Sequence, residues 1–265
     1  MASLTPLILK DDETIEEVVE RVKTKASYVE RFEWRENENV VIVAEDAEYN
    51  ENRAKRHLKD CGVPLKYIEA SFAGFTGNKK LVDACMACVP GDDSVFISGK
   101  TGCGKTHLAI AMLRDFIEKR IMEMPMERNA RGAIIADPCY KAGMFVSIPR
   151  ILMEIRMTFS GKTKKHVPWE IDSRTYETEE DVINKYVYEP ILILDDLGSE
   201  KTTDFSTSTL NIIIDERINN LKKTIITTNL SLQEIENHID ARIASRLSAM
   251  KNIKINMPDY RKKRS

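Results

Sequence analysis

The chain has 265 residues, 42% of them hydrophobic, and a formal net charge of −2. That length holds one sizeable α/β domain and a smaller appendage, while the near-neutral charge excludes a globally basic nucleic-acid binder, so any polyanion contact must be local. No apolar run reaches membrane-spanning length, and Pro6-Leu7-Ile8-Leu9 is too short for a signal-peptide core, so a cytoplasmic protein with no membrane partner is expected.

Taken in order, residues 11 to 39 are dense in acids and bases, with Ile15, Val18, Val19 and Val22 at a spacing that predicts a surface helix. Val40-Val41-Ile42-Val43-Ala44 predicts a short strand. Glu48 to Lys59 predicts a charged helix, stopped by Gly62 and Pro64. Residues 1–65 carry too little apolar content for a robust core of their own, and both a partner-binding module and a loosely packed tail fit that composition. Residues 67 to 75 lead into the main domain, and Phe72 and Phe75 fit either an adenine or ordinary packing. Cys85 and Cys88 form a CxxC without a second pair or a histidine cluster at zinc spacing. The five cysteines, an odd number, read as reduced thiols, and this pair as buried ones on an apolar helix.

The sharpest local signal is Gly99-Lys100-Thr101-Gly102-Cys103-Gly104-Lys105-Thr106, preceded by Val95-Phe96-Ile97-Ser98 and followed by a helical pattern with His107 at its start. It matches the nucleotide-binding P-loop. The glycines let successive N–H groups turn toward phosphate oxygens, Lys105 adds a compact charge, and Thr106 offers a hydroxyl to magnesium. ATP and Mg2+ are therefore the expected cofactors. Residues 122 to 143 show no clean period and read as an insertion of unknown role. A strand resumes at Met144, followed by a helix through Ile151, Leu152, Ile155 and Phe159 that carries Arg150 and Arg156. Lys162, Lys164 and Lys165 follow, and this basic run fits nucleic-acid phosphates and a solvated loop equally well.

Ile191-Leu192-Ile193-Leu194 reads as a strand buried on both faces of a parallel sheet, ending in Asp195-Asp196. Downstream of a P-loop, such a pair is a Walker B arrangement: Asp195 for the magnesium shell, Asp196 to orient or deprotonate water. Residues 224–229 predict another strand, whose terminal Asn229 has a donor and an acceptor with which to hold a water at the terminal phosphate. Arg242 and Arg246 share one face of a following helix, residues 253–257 predict a last strand, and Arg261 begins a basic end.

The ordered set GKTGCGKTHLA, FVSIPRILMEIR, ILILDDLGSEK, TIITTNLSLQEI and ARIASRL, with YIEASFAGF ahead of it, resembles the AAA+ ATPases of the DnaC helicase-loader and IstB transposition-helper group. The resemblance covers residues 66 to 261. It implies an α/β, three-layer P-loop domain over 66–265 with a five-stranded parallel sheet and a truncated or absent helical lid, beside a small N-terminal appendage, residues 1–65, that binds a partner. It also implies an ATPase in which Asn229 is sensor 1, Arg246 an arginine finger and Arg261 sensor 2. Asp196 stands where most AAA+ proteins have glutamate, which implies slow hydrolysis. By this resemblance the protein is a replicative helicase loader, binding helicase through residues 1–65 and single-stranded DNA through Phe205 and Thr203, with Arg156 and Lys162 nearby, and self-associating as a spiral or ring. For Arg246 the alternative is a helix-surface arginine paired with an acid. An IstB-like helper acting on duplex DNA is the runner-up; a small-molecule kinase and a non-catalytic ATP-gated adaptor are further readings.

Overall fold

A computed structural model describes residues 3–8, 29–35, 40–45, 47–91, 93–123, 127–128, 134–136, 142–159 and 178–263. The strands in chain order are β1 (Ser3–Ile8), β2 (Val29–Arg35), β3 (Val40–Glu45), β4 (Val95–Gly99), β5 (Glu127–Arg128), β6 (Ile134–Ala136), β7 (Met144–Ser147), β8 (Ile191–Leu197), β9 (Lys223–Thr228) and β10 (Lys251–Ile255). The helices are α1 (Ala47–Asp60), α2 (Lys79–Ala87), α3 (Lys105–Glu123), α4 (Ile148–Thr158), α5 (Glu179–Val187), α6 (Asp204–Asn219), α7 (Leu232–His238) and α8 (Ala241–Ser248). The chain divides into two compact units, Met1–Asp60 with Arg114–Ala142, and Cys61–Leu113 with Gly143–Ser265.

In the first unit β1, β3 and β2 form an antiparallel sheet in that order. Pro6 falls on an edge strand, the place in a sheet that tolerates a missing N–H. Val29–Arg35 is a strand where the charge-rich sequence had predicted a helix: Phe32 and Trp34 alternate with Arg31, Glu33 and Arg35, a period of two that the charges obscure. The Ile15 to Val22 stretch lies outside the described residues. Helix α1 buries Ala54 and Leu58, four residues apart on one face. Within the stretch read as an insertion, β5 and β6 pair antiparallel.

The second unit is built on a five-stranded sheet, order β10-β4-β9-β8-β7, with every pairing parallel. The apolar run of β8 and all of β9 are buried, as central strands covered on both faces require. Flanking helices bring Ile151, Ile155, Tyr186, Leu210 and Ile213 into the core with Leu192, Leu194 and Ile226. After β4 the chain crosses to β7 at the far edge, winds back through β8 and β9, and then places β10 on the other side of β4. Such a reversal opens a crevice at the carboxyl ends of the strands. Helix α5, unremarked in the sequence, opens with a capping box between Thr178 and Asp181. The last strand runs Lys251–Ile255, two residues earlier than predicted, and a 3-10 turn, Tyr260–Lys263, follows.

Two buried cations tie down the amino edge of this sheet. Arg217 donates Nη1 to the carbonyls of Tyr186, Val187 and Glu189, Nη2 to Lys223 O at 2.5 Å and Nε to Thr224 Oγ1 at 2.9 Å. Lys223 donates Nζ to the carbonyls of Cys88, Val89 and Gly91. Tyr186 O and Val187 O lie in the last turn of α5 and Cys88 O belongs to the cap of α2, carbonyls that a helix end leaves without a helical partner, whereas Lys223 O opens β9. Cys85 is buried, and burial pushes its thiol up to about 12. Cys88 is half-buried and donates to Ala84 O. Among the described residues no cluster of metal-ligating side chains and no helix long and apolar enough to cross a membrane occurs.

Candidate nucleotide-binding site

Between β4 and α3 the backbone turns through Gly102 at φ +76° and Gly104 at φ +100°, left-handed values that favour glycine. Both are also closely approached. A Cβ on Gly102 would run into the Asp259 carboxylate, and one on Gly104 would come within 2.6 Å of the Phe75 ring. Phe75 therefore lies against the loop, and its ring also packs on His107 with centroids 5.6 Å apart.

Lys105, at the first position of α3, is 7% exposed and spends its three donors inside the crevice. It reaches Gly99 O and Lys100 O, each at 3.0 Å, and Asn229 Oδ1 at 2.7 Å. The Asn229 amide continues the chain, donating Nδ2 to Asp196 Oδ1 at 3.0 Å. Beside it, Asp195 Oδ1 accepts from Thr106 Oγ1 at 2.8 Å and from Thr227 Oγ1 at 2.7 Å, while Thr227 Oγ1 accepts the N–H of Asp196 at 2.9 Å. The pairing of β8 with β9 slips between Leu194 and Leu197, and Asp196 sits at φ +65°. This bulge turns the two adjacent carboxylates to different partners.

Burial raises the pKa of Asp195 above its ordinary value, against the lowering pull of its bonds to Thr227 and Thr106. Glu200, whose Oε2 accepts the Gly198 N–H at 3.1 Å, is also raised by burial, with a further push from the Asp196 charge. The crevice encloses about 410 Å³ and is lined by Lys105, Thr106, Asp195, Asp196 and Asn229 at one end, with Tyr67, Phe75 and Tyr260 among its other walls. A polar end and aromatic walls suit a nucleotide. Thr106 and Asp195 present a hydroxyl and a carboxylate, an oxygen-only donor set that fits magnesium, and a cation there is the charge that a buried carboxylate lacks.

The structure brings together five residues singled out by motif: Lys105, Thr106, Asp195, Asp196 and Asn229. Thr101, Gly102, Gly104 and His107 line the same crevice, whereas Gly99 and Lys100 give their carbonyls to Lys105 and Cys103 is fully buried. Arg246 lies apart from them, its Nε and Nη2 both on Asp215 Oδ1, at 2.6 and 2.5 Å. Nothing is described of the Arg261 side chain. Its neighbour Tyr260 donates N–H to Gly102 O at 3.0 Å and its hydroxyl to Thr76 O at 2.5 Å. Away from the crevice, the Phe205 ring lies 5.1 Å from the Arg156 guanidinium and 5.9 Å, edge-on, from Phe159. Thr203 caps α6, accepting the Ser206 N–H, and Lys162 lies outside the described residues. Sequence reasoning passed over Thr227, Tyr260 and Glu200. Only Thr227 left a signal, as a polar residue on β9 two before Asn229, which itself stands one residue past the strand's end.

No family model matches the chain. In sequence it is 23% identical over 221 residues to the replicative helicase loader DnaC of Buchnera aphidicola subsp. Baizongia pistaciae (strain Bp), across 80% of this chain and 77% of that one. In structure it is similar to the crystal structure of the DnaC helicase loader, with a TM-score of 0.55 and 21% identity over 73% of this chain and 100% of that one. It is also similar to the replication initiator DnaA bound to AMPPCP and single-stranded DNA, with a TM-score of 0.51 and 15% identity over 74% of this chain and 51% of that one.

Proposed function

We propose that this chain, an AAA+ protein of the DnaC type, is an ATP-dependent replicative helicase loader. The observation that carries the reading is the single network from Lys105 through Asn229 to Asp196, with Thr106 and Asp195 beside it. An incoming triphosphate offers Lys105 anionic oxygens in place of the Asn229 amide, and Asn229 is then free to hold a water between Asp196 and the terminal phosphate. Magnesium, held by Thr106 and Asp195, would supply charge neutralisation at the outer phosphates. Asp196 orients the water through a carboxylate one methylene shorter than glutamate, so hydrolysis is slow. Phosphate contact from Arg246 requires a second copy of the chain, which makes the working form a homo-oligomer.

Residues 1–65 are the helicase-binding segment and 66–265 the ATP-binding domain. Single-stranded DNA takes the cluster of Arg156, Phe159 and Phe205, a guanidinium and two rings of the kind on which bases stack. Phe159 is 63% exposed, which leaves its ring accessible to a base. The test is a mobility-shift titration of a single-stranded oligonucleotide with the full chain. Binding is expected to tighten with Mg-ATP, and Lys105→Ala to remove that gain. Equal binding with and without ATP, or a preference for duplex, overturns the loader reading.

A further inference from the structure

Arg246 does not point unaccompanied from α8. Its Nε and Nη2 both donate to one oxygen of Asp215, on α6, at 2.6 and 2.5 Å. The guanidinium has five N–H donors in a rigid planar fork, and this contact occupies the edge formed by Nε and Nη2. No acceptor among the described residues takes Nη1. The opposite edge, made by Nη1 and the outer N–H of Nη2, therefore remains for another group, and it has the spacing that grips two oxygens of a phosphate.

From this we infer that Asp215 is a positioning residue for the arginine finger: it fixes one edge of the Arg246 fork so that the other is presented to a nucleotide held by a second copy of the chain. The inference rests on the finger reading given above. Three observations favour a positioning role over an incidental surface pair. The two donors of one guanidinium edge converge on a single carboxylate oxygen, so the contact occupies that edge and holds it in place. The pair joins two helices of the sheet-flanking layers, both anchored by buried residues, Ile213 and Ile214 on α6 and Ile243 and Leu247 on α8. A side chain held from rigid elements loses less freedom on reaching its target, which is the physical content of preorganisation. Ile212, on the same helix as Asp215, is 45% exposed, and an exposed apolar side chain beside the pair suits a face that a second copy covers.

The test measures ATP turnover per subunit and ATP affinity for the full chain at high protein concentration, in four proteins: wild type, Asp215→Asn, Arg246→Ala and the double variant. Asp215→Asn is expected to lower kcat roughly tenfold with unchanged ATP affinity and to have no further effect once Arg246 is gone, because each acts through the other. Asp215→Glu, which keeps the charge on a longer arm, should recover part of the loss. Matching thermal melts check that all four proteins are folded. Wild-type turnover in Asp215→Asn, or an equal drop with and without Arg246, overturns the positioning role. Wild-type turnover in Arg246→Ala overturns the finger reading itself, so the two failures are told apart.

Discussion

One parallel sheet buries cations at both of its edges, and the two edges treat them differently. At the amino edge Arg217 and Lys223, 0% and 7% exposed, are met by main-chain carbonyls and one hydroxyl. These acceptors are fixed by helix ends and strand starts. Burial draws the Arg217 pKa down to about 10, so it stays charged at neutral pH. At the carboxyl edge Lys105 is also 7% exposed, but one of its three acceptors is the side-chain amide of Asn229, which at the same time holds Asp196. A carbonyl at a helix terminus cannot leave without unwinding the helix. An amide on a side chain can rotate, so Lys105 has a partner that a phosphate can replace. Burial of a cation marks structure in one place and exchange in the other, and the identity of the acceptor decides which.

The largest effect should come from breaking the fixed edge. Arg217→Leu strips donors from four carbonyls and a hydroxyl at once, and unsatisfied buried acceptors cost about 1–3 kcal/mol each. A urea midpoint far below wild type is expected, and Arg217→Lys should recover little, since three ammonium donors cannot serve five acceptors in a plane. Lys105→Ala should do the reverse. ATP affinity, measured by fluorescence of a labelled analogue, is expected to fall at least about 100-fold through loss of a charge-assisted contact to phosphate, while the urea midpoint moves little. If both variants lose stability equally, the distinction between fixed and exchangeable partners fails.

This division also governs what the sequence made legible. The P-loop, the acid pair and Asn229 each lie at the end of a strand, so motif and strand-end position together pointed to one crevice. A parallel sheet of five strands was implied by the resemblance, but the order β10-β4-β9-β8-β7 is a contact pattern that the sequence did not state. Other features depend on contacts that no local pattern encodes. Arg217 looks like any helical arginine until residues 186 to 189 are brought alongside it. Asp215 carries no motif, and its meaning comes from Arg246, 31 positions away. The opposite turning of Asp195 and Asp196 comes from a bulge that the run Ile191 to Asp196 does not advertise. The first unit was misread at Val29–Arg35 because charges there outnumber the alternating aromatics. Helix α5 left a readable sign in Thr178 and Asp181, three apart before an apolar stripe.

Asn229 sharpens the comparison, since it is the exchangeable acceptor itself. Asn229→Ala removes Lys105's third partner and Asp196's anchor in one step. ATP affinity should hold or improve slightly, because a competitor for the ammonium is gone, while turnover falls on the order of tenfold to a hundredfold as the water loses its orientation. A parallel loss of affinity and turnover would instead assign Asn229 to binding.

The smallest effect separates charge from hydrogen bonding at Asp195. Its carboxyl has a raised pKa in the folded chain, chiefly through burial, against an ordinary value of 3.8. As pH climbs past that ordinary value the unfolded chain ionises first, and the folded state loses relative stability until its own raised pKa is passed; above both values the full penalty persists. Asp195→Asn keeps an oxygen that accepts from Thr106 and Thr227 but has no charge to desolvate. The variant should therefore melt slightly above wild type at pH 7 without nucleotide, with the gain shrinking as pH falls toward 4, since other titrating groups are common to both proteins and cancel in the difference. Added Mg-ATP should reverse the order, because only the carboxylate rewards a divalent cation. An advantage that is independent of pH would mean that packing, and not the buried charge, sets the stability of this corner of the crevice.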